Sequence, residues 1–440
     1  MAKPIVAIVG RPNVGKSTLF NRLAGKRIAI IEDKPGVTRD RIYADVEWLD
    51  NHFTLIDTGG IEPFSDDLLF IEMKKQAEIA IETAGVIVFM VDAQEGITTN
   101  DQEVAAILRK AKKPVILCCN KVDSPKYKDT IYEFYNLGLG DPIGISAGQK
   151  LNLGDLLDEI VKNFEGQDMS DYDDTTIRVA VVGKPNVGKS SLVNKILGEE
   201  RSIVSDIPGT TRDAIDTPFS WEDENFVFID TAGMRKRGKI DENIERYSVV
   251  RALSAIERAD VCLMLIDAKE GPTEQDSKIA GYIHEQGKGV IVVVNKWDLI
   301  EKDDKSIKKF EELVRIELSF MHYAPIMFVS AKTGQRVPKI MEMIRYVSNE
   351  CSKRIQTGVL NDVISEAVMM NQPAVSGGRR LKLYYATQVD VKPPAFALFV
   401  NNTELMHFSY ERYLENQIRK AFGFEGTSLR FYLKQKNREE

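Results

Sequence analysis

The sequence predicts an α/β protein: two tandem domains, each a mostly parallel sheet covered by helices, followed by a small α+β domain. Three observations carry this. The 440 residues correspond to about three domains of roughly 150 residues each. Gly10-Arg-Pro-Asn-Val-Gly-Lys-Ser-Thr18 returns 173 positions later as Gly183-Lys-Pro-Asn-Val-Gly-Lys-Ser-Ser191, and from Val6 to Gly60 against Val179 to Gly233, 28 of 55 positions are identical without a gap. A period that long marks a duplicated domain rather than a solenoid unit. Past about residue 350 the pattern changes to helix, strand, strand, helix, strand.

In each repeat short apolar runs alternate with longer amphipathic stretches, the pattern of a parallel sheet with helices on both faces. In the first, strands are expected near residues 5–9, 53–56, 86–91, 115–119 and 143–145; in the second, near 178–182, 226–229, 261–266, 290–294 and 326–329. Runs this short and apolar are buried on both sides. Asp50-Asn51 and the stretch 222–225 are expected to be turns that join an antiparallel edge strand to the sheet. Residues 165–175 are acidic and poor in core-forming side chains, as a linker is. The expected division is therefore 1–164, linker 165–175, 176–350 and 351–440. In the last part, helices are expected near 359–370 and 410–421, and strands near 381–389, 396–400 and 429–433.

Composition is ordinary for a globular chain, 43% apolar and 28% charged. No apolar run approaches the roughly 18–20 residues a membrane span needs, and Met1-Ala2-Lys3-Pro4 leads into a strand without a signal pattern. A cytoplasmic protein without stable membrane association is expected. Cys118, Cys119, Cys262 and Cys351 have neither disulfide nor metal-ligand spacing and are read as reduced core residues. His52, His284, His322 and His407 form no motif. Net charge is −7, yet residues 352–440 hold 13 Lys/Arg against 9 Asp/Glu, leaving −11 for the rest. A basic end on an acidic body hints at a nucleic-acid partner.

Both repeated loops fit G-x-x-x-x-G-K-[ST], whose backbone N–H groups wrap phosphates. The loops comprise Gly10, Asn13, Val14, Gly15, Lys16, Ser17 and Thr18, and Gly183, Asn186, Val187, Gly188, Lys189, Ser190 and Ser191. Lys16 and Lys189 are the expected phosphate lysines, and Ser17 and Ser190 the Mg²⁺ ligands. Asp57-Thr-Gly-Gly60 and Asp230-Thr-Ala-Gly233 each follow an apolar strand. There an NTPase places a carboxylate for the Mg²⁺ shell, here Asp57 or Asp230, and a Gly whose N–H meets the γ-phosphate, here Gly60 or Gly233. Asn120-Lys121-Val-Asp123 and Asn295-Lys296-Trp-Asp298 follow the next-to-last strands. A carboxylate there accepts from guanine N1–H and N2–H₂, whereas adenine offers no such donor pair and would leave buried groups unpaired. The expected substrate is GTP, giving GDP and phosphate. Ser146-Ala147 and Ser330-Ala331-Lys332 end the last strands, where a backbone N–H can meet guanine O6; Gly148 stands where the second repeat has Lys332.

With these motifs in this order, each repeat resembles the Ras-like translation-factor GTPases. Pro35-Gly-Val-Thr38-Arg-Asp40 and Pro208-Gly-Thr-Thr211-Arg-Asp213 resemble switch I of their TrmE/Era branch. Two such domains before a small α+β domain resemble the tandem-domain bacterial ribosome-assembly GTPases of that branch. The resemblance implies that Thr38 and Thr211 complete the Mg²⁺ shell and that residues 352–440 form a KH-like domain. It also implies the large ribosomal subunit and its RNA as partners; a monomer is expected.

Ile61 and Met234 stand where Ras-type enzymes place a water-orienting Gln, and neither can hydrogen-bond water. Asn13 and Asn186 resemble the Asn that relatives with this substitution use to hold K⁺ beside the phosphates, where a cation stabilises developing charge. The competing reading is an Asn chosen for its tolerance of turn geometry. Arg235 and Arg237 lie close by in Met234-Arg-Lys-Arg-Gly-Lys239, a basic run where the first repeat has Ile61-Glu-Pro-Phe-Ser-Asp-Asp67. A nucleotide-dependent partner surface is expected there.

In the last domain no G-x-x-G clamp is expected, only Ser376-Gly377-Gly378-Arg379. Arg379, Arg380, Lys382, Arg419, Lys420, Arg430, Lys434 and Lys436 are candidates to track phosphates. Two other functions fit these residues: a GTPase that regulates RNA modification, and a nucleotide-sensing module in which one repeat hydrolyses weakly.

Overall fold

The structure, a computed structural model, describes residues 4–24, 43–57, 66–111, 113–124, 127, 130–164, 175–198, 202–204, 216–230, 244–301, 305–376 and 379–435. The chain divides into two compact units, Met1–Asp171 with Asn243–Ser254, and Tyr172–Glu242 with Ala255–Glu440. The expected linker lies almost wholly outside the described residues.

In the first repeat the order is β1 (Ile5–Val9), α1 (Lys16–Ala24), β2 (Tyr43–Trp48), β3 (Asn51–Asp57), α2 (Asp66–Thr83), β4 (Val86–Asp92), α3 (Thr99–Leu108), β5 (Val115–Asn120), β6 (Ile143–Gly144) and α4 (Leu153–Lys162). The sheet runs β2-β3-β1-β4-β5-β6, parallel except for the β2–β3 hairpin. Every residue of β1 and β4 is buried, as apolar runs covered on both faces should be. One face packs Ala77, Val104 and Leu108 of α2 and α3, and the other Leu19, Leu23, Leu156 and Ile160 of α1 and α4. The hairpin turns at Leu49-Asp50, both left-handed (φ 46° and 62°).

The second repeat holds β7 (Ile177–Val182), α5 (Lys189–Leu197), β8 (Ser202–Val204), β9 (Thr217–Trp221), β10 (Glu224–Ile229), α6 (Ile244–Arg258), β11 (Val261–Asp267), α7 (Glu274–Glu285), β12 (Gly289–Asn295), α8 (Ser306–Glu317), β13 (Ile326–Phe328) and α9 (Pro338–Ser352). Its sheet runs β13-β12-β11-β7-β10-β9-β8. The edge strand β8, antiparallel to β9, is an element the sequence did not announce. Three residues are too few for a readable period.

The C-terminal part contains α10 (Thr357–Met370), a short hairpin β14 (Val375–Ser376) and β15 (Arg379–Arg380), then β16 (Leu383–Asp390), β17 (Ala395–Val400), α11 (Phe408–Phe422) and β18 (Arg430–Gln435). The three long strands form a sheet in that order, β16–β17 antiparallel and β17–β18 parallel. Leu360, Ile364, Leu414 and Ile418 of the helices pack on Phe396, Leu398 and Val400.

One expectation is corrected here. The chain does carry a G-x-x-G sequence, Gly423-Phe424-Glu425-Gly426, between α11 and β18. It is not turned to solvent as a clamp: Phe424 is fully buried and its N–H donates to Glu350 Oε2 at 2.5 Å. The Gly426 N–H donates to the Tyr323 carbonyl (2.8 Å), and the Gly426 carbonyl accepts from Val290 N–H at the start of β12 (2.7 Å). The backbone groups that would hold a polynucleotide are spent joining the small domain to the second GTPase-like sheet. Gly377 and Gly378 lie outside the described residues.

Candidate nucleotide sites

All the nucleotide motifs follow the carboxyl ends of strands, where open α/β sheets bind ligands. In the first repeat the loop from Gly10 leaves β1 so close to β4 that a Cβ on Gly10 would sit 2.3 Å from the Met90 carbonyl. Asn13 is left-handed and exposed (φ 64°), while Val14 is buried and anchors the loop. Lys16 is buried at the start of α1, its Nζ donating to the carbonyls of Gly10 (2.6 Å) and Arg11 (2.7 Å). An ammonium is thereby fixed on the backbone of the Gly-rich loop by two of the loop's own carbonyls. Ser17 and Thr18 are exposed in the first turn of α1, and Ser17 Oγ donates to Asp57 Oδ2 at 3.0 Å.

Asn120 binds three loops together. Its Nδ2 donates to the Val14 carbonyl (2.7 Å), and its Oδ1 accepts from the Ala147 N–H (2.9 Å). Gly15 makes room for this: its φ is 99°, and a Cβ there would lie 2.3 Å from Asn120 Nδ2. Asp123 is held by Ser146 Oγ (2.5 Å to Oδ1) and Gln94 Nε2 (3.2 Å to Oδ2). Lys121, left-handed at φ 66°, pairs with the buried Asp92 at 2.5 Å.

The second repeat reproduces this almost atom for atom. Lys189 Nζ donates to the Gly183 (2.6 Å) and Lys184 (2.7 Å) carbonyls. Asn295 Nδ2 donates to the Val187 carbonyl (2.8 Å) and Oδ1 accepts from Ala331 N–H (3.0 Å), over Gly188 with φ 99°. Ser330 Oγ donates to Asp298 Oδ1 at 2.6 Å, and Lys296 pairs with Asp267. Asn186 is left-handed at φ 64°, and Ser190 and Ser191 open α5. Asp230, at φ 56°, is braced differently from Asp57: its N–H donates to Asp216 Oδ1 (3.0 Å), and that carboxylate pairs with Arg258. Lys332 is exposed, and the Gly148 carbonyl accepts from Arg22 (3.3 Å).

Thr38, Gly60, Ile61, Thr211, Gly233, Met234, Arg235 and Arg237 lie outside the described residues. The sequence reading passed over Asp92 and Asp267, whose carboxylates end β4 and β11 and hold the lysines of the base-recognition elements. Their signal was available, because Asp92-Ala-Gln-Glu-Gly96 returns as Asp267-Ala-Lys-Glu-Gly271. The cysteines are buried, and burial pushes the Cys119 and Cys262 thiols up to about 12, as in inert core positions.

Among the candidate phosphate-tracking cations, Arg419 is engaged elsewhere. It bonds Glu415 (2.8 Å) and the Phe424 carbonyl (2.7 Å) and stacks over the Tyr323 ring at 4.6 Å. Arg430 donates to the Glu285 carbonyl (2.7 Å). Arg379, Arg380, Lys382, Lys420 and Lys434 are exposed, and Lys436 lies outside the described residues.

Comparison with known proteins agrees with this layout. A family model described as 50S ribosome-binding GTPase matches residues 5–121 and again 178–296. A model of the C-terminal KH-domain-like region of EngA bacterial GTPase enzymes matches residues 354–434. The chain is 62% identical over 436 residues, 99% of each chain, to the GTPase Der of Alkaliphilus oremlandii. It is 63% identical over 440 residues, the whole of both, to that of Acetivibrio thermocellus.

Proposed function

The chain belongs to the GTPase Der family, and on that premise we propose that it is a ribosome-assembly factor. It binds the large ribosomal subunit and its RNA while GTP fills its sites and leaves after hydrolysis. The observation that carries the reading is the duplicated constellation: one amide, Asn120 or Asn295, ties the phosphate loop to the base-recognition loops in each repeat.

Asp123 and Asp298, each steadied by a serine hydroxyl, accept from guanine N1–H and N2–H₂. Lys16 and Lys189 set positive charge against the β/γ phosphates, and the loop N–H groups wrap them. The hydroxyl and carboxylate oxygens of Ser17 with Asp57, and of Ser190 with Asp230, are the hard donors Mg²⁺ prefers. Mg²⁺ held there, with Thr38 and Thr211 as further ligands, would neutralise phosphate charge. The amides of Gly60 and Gly233 meet the γ-phosphate. Asn13 and Asn186 are assigned to K⁺, their exposed amides standing at the lip of the loop. The division into domains 1–164, 176–350 and 351–440 and the monomeric state are part of the same proposal. A role in RNA modification is the weaker reading, because the model matched by both repeats is described as a ribosome-binding GTPase and the relatives matched end to end are named GTPase Der.

The test is co-sedimentation of the full chain with separated large and small ribosomal subunits, in a GTP analogue and in GDP. Sedimentation with the large subunit in the analogue alone is expected. Binding that ignores the nucleotide, or prefers the small subunit, rejects the switch reading.

A further inference from the structure

We propose that the face of the C-terminal sheet turned away from α10 and α11 is a stacking platform for single-stranded RNA. This rests on the ribosomal-RNA reading above and names the surface that meets the RNA.

Strand alternation defines the face. Ala386, Phe396, Leu398 and Val400 point into the core with the helices, so Tyr385, Thr387, Ala397, Phe399, Tyr432 and Lys434 stand on the other side. Register places them in two rows: Tyr385, Phe399 and Lys434 lie side by side, and Thr387, Ala397 and Tyr432 form the next row. The Tyr385 and Phe399 rings are stacked at 4.1 Å and 12°. Tyr385 is 40% exposed and Tyr432 47%, so three aromatic rings stand within two rows of a surface that the protein's own core does not use.

Charge favours a polyanion as the occupant. Lys434 is the only charged residue in the two rows, and no carboxylate interrupts them. Arg379, Arg380 and Lys382 gather at the same end, because they lead into Leu383, which pairs with Val400, which pairs with Gln435 next to Lys434. Asn401 fixes that approach: Oδ1 accepts from the Lys382 N–H (2.8 Å) and Nδ2 donates to the Arg380 carbonyl (3.0 Å). The rest of the chain is acidic, −11 outside residues 352–440, so the cationic end is local. Single-stranded nucleic acid is held by this combination, bases on aromatic faces and phosphates along cations. A duplex hides its base faces and cannot use it. The Gly423–Gly426 loop, with Phe424 buried and the Phe424 and Gly426 N–H groups already bonded to Glu350 and Tyr323, offers no backbone clamp, so the open sheet face takes that place.

The test uses the full chain and a labelled ten-nucleotide single-stranded RNA, with the same sequence as a duplex for comparison, in fluorescence anisotropy at several KCl concentrations. Tyr385→Leu with Tyr432→Leu should weaken single-strand binding by about tenfold or more without changing the salt slope, because stacking is not ionic. Tyr385→Phe with Tyr432→Phe should retain it. Lys434→Gln should weaken it and reduce the slope by about 0.7. Unchanged affinity in the Leu variant, or equal binding of the duplex, overturns the platform. Loss of a ribosomal-protein contact in the Leu variant with RNA binding intact also overturns it, in favour of a protein partner. Large-subunit sedimentation run in parallel separates the two claims. Wild type that fails to sediment overturns the assembly reading, whereas wild type that sediments beside a Leu variant with unchanged RNA affinity overturns only the platform.

Discussion

Asn120 and Asn295 are joints: a single amide ties the Gly-rich loop, at Val14 or Val187, to the loop that starts at Ala147 or Ala331. Gly15 is the other half of that joint. Gly15→Ala puts a Cβ against Asn120 Nδ2 in a left-handed backbone, strain of about 1–3 kcal/mol on top of the displaced hydrogen bond. GTP at the first site should weaken by about 100-fold while the second site is untouched, as nucleotide titration with fluorescent GTP will show. The exposed, left-handed Asn13 and Asn186 are where hydrolysis should depend on the monovalent cation. Steady-state rates should be higher in KCl than in matched NaCl, and Asn13→Ala with Asn186→Ala should abolish the difference. Equal rates of the wild type in both salts would reject the K⁺ assignment.

At the scale of elements, strand ends carry both chemistry and stability. Asp260, just before β11, accepts from Arg178 Nε (3.0 Å), Nη2 (2.8 Å) and backbone N–H (3.0 Å) at the start of β7. Burial alone would raise its carboxyl, but these bonds and the guanidinium charge outweigh it and hold the group below the ordinary value. A carboxyl that binds its proton less readily when folded contributes stability above about pH 4, and that stability is lost as pH falls through the folded value. Asp260→Asn should therefore cost about 2 kcal/mol at pH 7, with the gap to wild type closing below about pH 4 in denaturant unfolding. The apolar runs of β1, β4, β11 and β12 were legible because burial on both faces leaves no other composition for them. Strand β8 was not, and the joining role of Gly423–Gly426 was not. Whether a G-x-x-G loop faces solvent or a neighbouring strand depends on Tyr323 and Val290, about 100 or more residues away in sequence. Arg430 read as a free cation for the same reason, since its partner Glu285 is distant in the chain, whereas Arg419 also has a partner within sequence reach, Glu415 one helical turn before it.

For the whole molecule, the duplication has one large consequence: the loop-joining constellation occurs twice in one chain, and we propose that each copy takes a guanine nucleotide. The motifs were readable because repetition removed chance, but the hydrogen bonds by which Asn120 and Asn295 join the loops of their own repeats belong to the fold. The most direct measurement is the number and kind of nucleotides bound per chain, by equilibrium titration with GTP and XTP of wild type, Asp123→Asn and Asp298→Asn. Losing the carboxylate removes two charge-assisted bonds to guanine and favours xanthine, which carries a carbonyl in place of the N2 amine. Two GTP per wild-type chain are expected, and one GTP with one XTP in each variant; two GTP with unchanged affinity in either variant would contradict the account.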